Sequence, residues 1–497
     1  MQNPDMFITD RKTMMAAETL AAEREGWFGL MQNAGRAAAE YIINATPTEG
    51  KTALLLCGKG NNGGDGFIIA EALLLSGAEV TVLLTHGLPA TDSAQKAFAL
   101  LSDGVRVTDL SSFDSSKPFD LVVDAVFGTG ANGKELDPEL AGLFAKIGRS
   151  DFAVDVPSGL SCDTAEGAEF ALPSKTTLTF GAPKLCHLLP RGREISGHVE
   201  TLNIGITEED FEKSGAFIRE IAPATTEKRR PTCHKNDFGT LLSVCGSYGM
   251  SGASIIAGKA ALRSGVGILK QACVEENYLP CAVTLPEAVL LPCKTEGKTY
   301  GKASLPALKE ALSSADALLM GCGMGVSDSA KSVVEELLKT TKVPTVLDAD
   351  GINMVASDIE LLKDVKAPLI LTPHPGEMAR LLSVSPANIE KNRFETAKNF
   401  AQNYGVILVL KGANTVVADP KGNLFVCTKG NSGMATAGSG DMLAGIIAAL
   451  LAKGKDPLSA ALDGVWLHSA AGDVTAEELG EEAMLPTDMI DRLHRFL

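Results

Sequence analysis

Two glycine-rich turns carry the side chains best suited to chemistry. The first, GKGNNGGDG at 58–66, follows an apolar run and precedes a helix-like one. Glycine permits positive φ and close approach of backbone to a ligand. The free amides at a helix N-terminus favour an anion such as phosphate. The pattern is not GxGxxG, and it lacks the GK[ST] ending of a P-loop. Asn61, Asn62 and Asp65 add polar heads that a plain dinucleotide turn does not need. The plainer alternative is a tight turn with Asp65 capping the helix. Asp124, then Gly128, Thr129 and Gly130, and later Asp155 and Ser158, close two further apolar runs. An amide, a carboxylate and a hydroxyl converging there make a hard, all-oxygen cation site. Asp155 also suits an acid/base group or an acceptor for a ribose hydroxyl, and Asp after a strand is a good turn residue in any case.

The second turn, NSGMATAGSGD at 431–441, feeds directly into the apolar helix MLAGIIAALLAKG. Amides from Ala437 to Gly440 would form an anion hole. Asp441 beside them suits the group that takes a proton from a hydroxyl attacking a phosphoryl group; the alternative is a favourable first-turn acid. LVLKGANTVVADP (408–420) reads as strand, turn and strand, with Lys411 and the turn amides facing a nucleotide. TPHPGE (372–377) fixes His374 between two prolines. GCGMG (321–325) and MSGA (250–253) offer more backbone close to a ligand.

These residues need strands to hold them. KTALLLCG (51–58), AEVTVLL (78–84), FDLVVDAVFG (119–128) and DFAVDVPSG (151–159) read as buried strands alternating with helices, after a helical segment over 1–45. That grammar predicts a parallel sheet covered by helices on both faces, with ligands at the carboxyl ends of the strands. Residues 207–237 are polar and aperiodic and read as a junction. Strands then restart at 240–246, 315–325, 343–351, 367–377 and 405–415, while 271–300 is less informative.

The chain has 497 residues, 45 Lys+Arg against 61 Asp+Glu, and a formal net charge of −16. Without a basic patch, that field argues against nucleic acid. No signal-peptide pattern and no long apolar run stands out, which argues against a membrane partner. Ten scattered cysteines without a CxxC pair read as free thiols of a cytoplasmic protein. Low aromatic content and apolar helices are compatible with a homo-oligomer.

Residues 10–215 closely resemble the NAD(P)H-hydrate epimerase domain, through LMQNAG, GKGNNGGDG, VVDAVFGTG, AVDVPSGL and GHVETLNIGI. Gln32 stands where that family usually has Glu. The resemblance implies a Rossmann-like three-layer domain over 1–215. It implies that Asn62, Asp124 and Ser158 hold a monovalent cation, K+. It also implies that Asn61, Asn62, Gly63, Gly64, Asp65, Gly128, Thr129, Gly130, Ala131, Asn132, Gly133, Lys134 and Asp155 line the hydrate-nucleotide site.

Residues 227–497 resemble the ribokinase-like ADP-dependent NAD(P)H-hydrate dehydratase, through HKNDFG, GSYGMSGA, AALRSG, GCGMG, LTPHPGEMARL, KGANT and AGSGD. HKND replaces an HKGD-like turn, and Asn236 there is the residue type that best tolerates the left-handed region after Gly. Ser439 stands where Thr is frequent and keeps the hydroxyl. This resemblance implies that Ala253, Gly325, His374 and Asp441 meet the hydrated nicotinamide nucleotide. Lys411, Gly412, Ala413, Asn414, Thr415 and Gly440 would meet the adenine nucleotide, ADP, accompanied by Mg2+. Together the two halves predict an α/β enzyme that epimerises R and S hydrates of NAD(P)H and dehydrates the S form, giving AMP and phosphate. Asp155 and Asp441 are the candidate catalytic groups. The competitors are a ribokinase-type small-molecule kinase, a dehydrogenase, for which GxGxxG is missing, and a first domain that only binds.

Overall fold

The computed structural model describes residues 7–114, 118–130, 136–215, 218–225 and 229–497. The chain divides into two compact units, Met1–Arg219 and Glu220–Leu497.

In the first unit, helices α1 (Arg11–Glu25) and α2 (Trp27–Ala45) lead into β1 (Thr52–Cys57) and α3 (Asn61–Leu75). Strands β2 (Glu79–Leu84), β3 (Arg106–Asp109), β4 (Leu121–Ala125), β5 (Ser150–Val154), β6 (Ser174–Phe180) and β7 (His198–Leu202) follow. The sheet order is β3-β2-β1-β4-β5-β6-β7, parallel throughout. The order reverses between β1 and β4, which opens a crevice at their carboxyl ends. Alternation along β1 sends Leu55 and Cys57 into one core with α1, α2 and α3, and Leu54 and Leu56 into another with Leu140 and Phe144. Three layers result, as the sequence grammar predicts. Strands β3, β6 and β7 were not apparent in the sequence, because serine, threonine and charged residues interrupt their apolar pattern.

In the second unit, β8 (Thr240–Val244), α4 (Ser251–Arg263), β9 (Ile268–Val274), β10 (Val289–Cys293), β11 (Ala317–Met320), β12 (Thr345–Leu347), β13 (Leu369–Leu371) and β14 (Ile407–Leu410) precede the short strands β15 (Val416–Ala418) and β16 (Leu424–Val426). These nine strands run in the order β16-β15-β14-β13-β12-β11-β8-β9-β10. Only the β14–β15 and β15–β16 pairs among them are antiparallel. Helix α5 (Ser439–Ala452) is buried along almost its whole length, as a helix apolar on every side must be. It reaches its place by close contact with α4: a Cβ on Gly445 would lie 2.3 Å from the Ala257 carbonyl oxygen.

Two local expectations are corrected. The NNGGDG segment is the first turn and a half of α3, not a loop before it, and Asp65 does not cap the helix. Asn236 sits in a short 3-10 turn, Lys235–Phe238, and the left-handed residue is Gly239 at φ 69°.

Candidate functional site

The crevice of the first unit is built on close backbone contacts. A Cβ on Gly63 would lie 1.9 Å from the Gly58 oxygen, and one on Gly58 2.1 Å from the Val126 oxygen. Glycine at both positions lets α3 begin directly against the ends of β1 and β4. A Cβ on Gly128 would meet Asp155 Oδ2 at 2.9 Å and Asn62 Oδ1 at 3.0 Å, so those two heads flank Gly128. Asn61 accepts a 2.6 Å bond from Thr91. Ala131, Asn132, Gly133 and Lys134 lie outside the described residues.

Asp155 directly follows β5 at φ 66°, a left-handed conformation rare for a residue with a side chain. Such strain persists where the surroundings over-determine it. Here they do: Thr129 N–H donates to Oδ2 at 3.1 Å and Lys184 Nζ to Oδ1 at 2.6 Å. Lys184 is wholly buried and also donates to Thr179 Oγ1 and the Phe180 carbonyl, each at 2.8 Å. Its three donors are thereby matched by three acceptors. Burial works to raise the Asp155 carboxyl, but the Lys184 ammonium outweighs it and holds the group below the usual carboxylate range. Sequence reading missed Lys184; GAPKL offers one lysine without periodicity or a motif to mark it.

Asp124 and Ser158 come together as expected. Ser158 donates from Oγ at 2.6 Å and from its amide at 2.8 Å to the fully buried Asp124 carboxylate. Burial pushes Asp124 up to about 6, against those bonds. Phe127 N–H donates to Ser158 Oγ at 2.8 Å, which carries the cluster to Gly128 and so to Asn62. The Asn62 Nδ2 atom is buried without a partner among the described residues. A buried carboxylate whose bonds do not offset its burial and an orphaned amide head, which presents its oxygen when turned, suit a hard monovalent cation.

In the second unit, the functional side chains sit just beyond the carboxyl ends of parallel strands. Asp348 follows β12, Thr372 follows β13 and Lys411 follows β14. Lys411 Nζ donates to Asp348 Oδ1 at 2.8 Å, and Thr372 Oγ1 to the same oxygen at 2.7 Å. Glu377 stands 4.0 Å from Lys411. Burial would lower Lys411, but Asp348 and Glu377 outweigh it and raise it. A Cβ on Gly440 would lie 3.1 Å from Lys411 Nζ and 4.0 Å from Asp348 Oδ2, so the first turn of α5 lies against this ion pair. Asp441, Asp348 and Cys322 offer ligand atoms within 4.8 Å of one another. Burial, then the neighbouring Asp348, push Asp441 up to about 6. Gly438, the residue before α5, has φ 94°. Ser439 Oγ lies 3.1 Å from His468 Nε2.

His374 Nδ1 accepts from the Gly376 amide at 3.0 Å, and Nε2 lies 3.3 Å from Glu377. That continues the line from Asp441 through Lys411. Ala253 abuts Gly323, and Gly325 N–H donates to Asp350 at 2.8 Å. The 411–415 turn is held from below: Arg393 donates to the carbonyls of Leu410, Lys411 and Asn414 at 3.1–3.2 Å, and a Cβ on Gly412 would meet it at 2.7 Å. Asn414 is buried, with Nδ2 donating to the Cys427 carbonyl, while Gly412 and Ala413 are exposed and Thr415 partly so. Asp348 and Arg393 went unassigned in the sequence, although VLDADG had marked a strand ending in Asp.

A family model described as NAD(P)H-hydrate dehydratase matches residues 241–495, and one described as YjeF-related protein N-terminus matches 28–186. The bifunctional NAD(P)H-hydrate repair enzyme Nnr of Moorella thermoacetica is 38% identical over 487 residues, 93% of this chain and 91% of that one. Its namesake in Escherichia coli is 35% identical over 478 residues, 95% of this chain and 89% of that one. Among solved structures, an ADP/ATP-dependent NAD(P)H-hydrate dehydratase from Bacillus subtilis, co-crystallised with ATP and Mg2+, is 31% identical with a TM-score of 0.47, covering 55% of this chain and 93% of that one.

Proposed function

The chain belongs to the bifunctional NAD(P)H-hydrate repair enzymes, and from that premise we propose which residues carry each activity. It is an epimerase of R and S hydrates and a dehydratase that returns the hydrate to NAD(P)H. We assign epimerisation to 1–215 and dehydration to 227–497.

In the second half, Asp441 accepts the proton of the ring hydroxyl as its oxygen attacks the terminal phosphoryl group of ADP. The bond to the departing phosphate oxygen breaks and AMP leaves. Amides of 437–440 and the Lys411 ammonium stabilise the charge on the transferred group. Phosphate, a far better leaving group than hydroxide, then departs from C6 as C5 gives up a proton, and the dihydropyridine is restored. Mg2+ would be held with the nucleotide phosphates, with Asp348 near enough to supply oxygen, and would neutralise phosphate charge. Ala253, Gly325 and His374 face the nicotinamide nucleotide, and the 411–415 turn with Gly440 faces ADP.

In the first half, the α3 N-terminus with Asn61 to Asp65 and the 128–134 segment receive the hydrate nucleotide. Asp124, Ser158 and Asn62 would hold K+, which would add positive potential beside the phosphates. Asp155 is the charged group at the reacting ring. A cytoplasmic, oligomeric enzyme completes the reading, and ten free thiols are in keeping with it.

The observation that carries the reading is the placement of Asp441 on the first turn of α5, against the Lys411–Asp348 pair. The test is incubation of the full chain with mixed R and S hydrates, with and without ADP. Complete conversion to NAD(P)H with AMP and phosphate is expected. Conversion of the S share alone sinks the epimerase assignment, and a stable phosphoester product would mean a kinase. Asp441→Asn should abolish dehydration and spare epimerisation.

A further inference from the structure

The first unit carries a half-open cavity of about 500 Å³. Three carboxyl groups line it: Glu18, Asp65 and Asp155. They differ in what holds them. Asp155 is bound by Lys184 and the Thr129 amide, and Asp124, deeper in the fold, is bound by Ser158. Among the described residues neither Glu18 nor Asp65 has a hydrogen bond that would favour its charged form. Glu18 lies on α1, one turn beyond Met14 and next to Ala17, at the flank of the stripe that α1 buries. The fold thus carries a carboxyl head to the cavity on an element remote in sequence from the glycine turn.

We propose that Glu18 is the proton donor and acceptor of the epimerase site, with Asp155 acting only as a fixed negative charge. This rests on the epimerase reading above and names the group that reading leaves open. The step balances without a redox partner. The C6–O bond breaks and its electron pair leaves with oxygen, which takes the Glu18 proton and departs as water. The ring nitrogen lone pair forms the C6=N1 bond, and the Asp155 carboxylate faces the resulting cation. Water then adds to the opposite face of C6 and returns one proton to Glu18, giving the other epimer.

The charge arrangement supports this division. One buried ammonium serves three carboxyls, so one carboxylate is balanced and the others retain protons more readily. Lys184 fixes which one is charged by bonding Asp155 directly. Burial, then Asp155, push Glu18 up to about 7, against the pull of Lys184. Burial, then Asp155 and Glu18, raise Asp65 well above its usual range too, but Asp65 is a buried residue of α3, whereas Glu18 is only partly buried at the cavity. Arg11, on the same helix as Glu18, and Lys59, before α3, are the other charged groups lining the cavity.

The test uses the full chain with one purified epimer and no adenine nucleotide, so that dehydration is silent, and follows formation of the other epimer from pH 5.5 to 9. The acid must start protonated, so the rate should hold below neutrality and fall above a midpoint near 7. Glu18→Gln should lower the rate by about 100-fold or more and remove that alkaline limb, whereas Glu18→Asp should keep a limb at reduced rate. A Glu18→Gln rate within threefold of the parent with the limb intact overturns the proposal. So does a limb that vanishes in Asp65→Asn instead. Dehydration of the S epimer and the melting profile of each variant report folding, and if Glu18→Gln does not fold, the Glu18→Asp profile decides. An unmutated chain that leaves both epimers untouched refutes the epimerase reading itself.

Discussion

The Lys184–Asp155 pair makes a sharp demand on stability. Lys184 is wholly buried, and its ammonium has three acceptors at 2.6–2.8 Å. Lys184→Met keeps the stem and removes the charge, stranding a buried carboxylate and two further acceptors. Breaking a buried pair from one side costs about 3–5 kcal/mol. For a domain of this size each kcal/mol moves the melting temperature by about 2–4 °C, so the first unit should melt roughly 6–20 °C lower at pH 7.5. The pH dependence follows from the sign of the shift. In the parent, the Asp155 carboxyl lies below its ordinary value, so it adds stability above about pH 4 that is lost as pH falls through the folded value. Without Lys184, burial dominates and the carboxyl rises above its ordinary value, so the folded variant takes up a proton first. The deficit should therefore be largest at pH 7–8 and shrink toward pH 5. Adding Asp155→Asn should recover much of the loss, since removing both partners is far less costly than removing one. Differential scanning calorimetry of the full-length variants reads all three. A deficit under about 2 °C, or one equal at pH 5 and 7.5, would refute the argument that Lys184 holds Asp155 charged.

Other consequences are checkable in parallel. Because burial and Asp348 raise Asp441 to about 6, dehydration by a base that must be ionised should be full above pH 7 and fall about tenfold per unit well below 6; a rate flat to pH 5 contradicts the assignment. Ser158→Ala removes one hydrogen bond from the buried Asp124 carboxylate and leaves the Phe127 N–H without its acceptor; it should cost about 1–3 kcal/mol and raise the K+ concentration needed for half-maximal epimerisation, read by titration against Na+. Arg393→Lys removes the guanidinium's contacts with three carbonyls and should raise the KM for ADP severalfold while changing kcat little; an unchanged KM would mean the 411–415 turn does not need it.

What the sequence made legible follows from where the information sits. Long apolar strands and glycine turns are local signals, so β1, β2, β4 and β5 and the glycine-rich entry to α5 were readable from local pattern, whereas α3 begins at Asn61, inside the turn the sequence suggested. The polar strands β6 and β7 hide because, in a parallel sheet, pairing rather than pattern holds them. The site divides the same way. Asp155 and Asp441 announce themselves by following an apolar strand or opening an apolar helix. Lys184 and Arg393 are marked by nothing local, while Asp348 also follows an apolar strand and went unassigned. Lys184 matters because burial deprives it of water and leaves Asp155, 29 residues away, as its charged partner. Arg393 matters because three carbonyls at 410–414 point inward toward it. Both dependences are properties of the packed interior, in which a charge must find a partner or be neutralised. The residues that hold a site in shape are therefore the ones a single sequence conceals. Glycine is the exception, since at Gly58, Gly63 and Gly445 the backbone approaches another backbone so closely that a Cβ would not fit, and that need leaves its imprint in the chain.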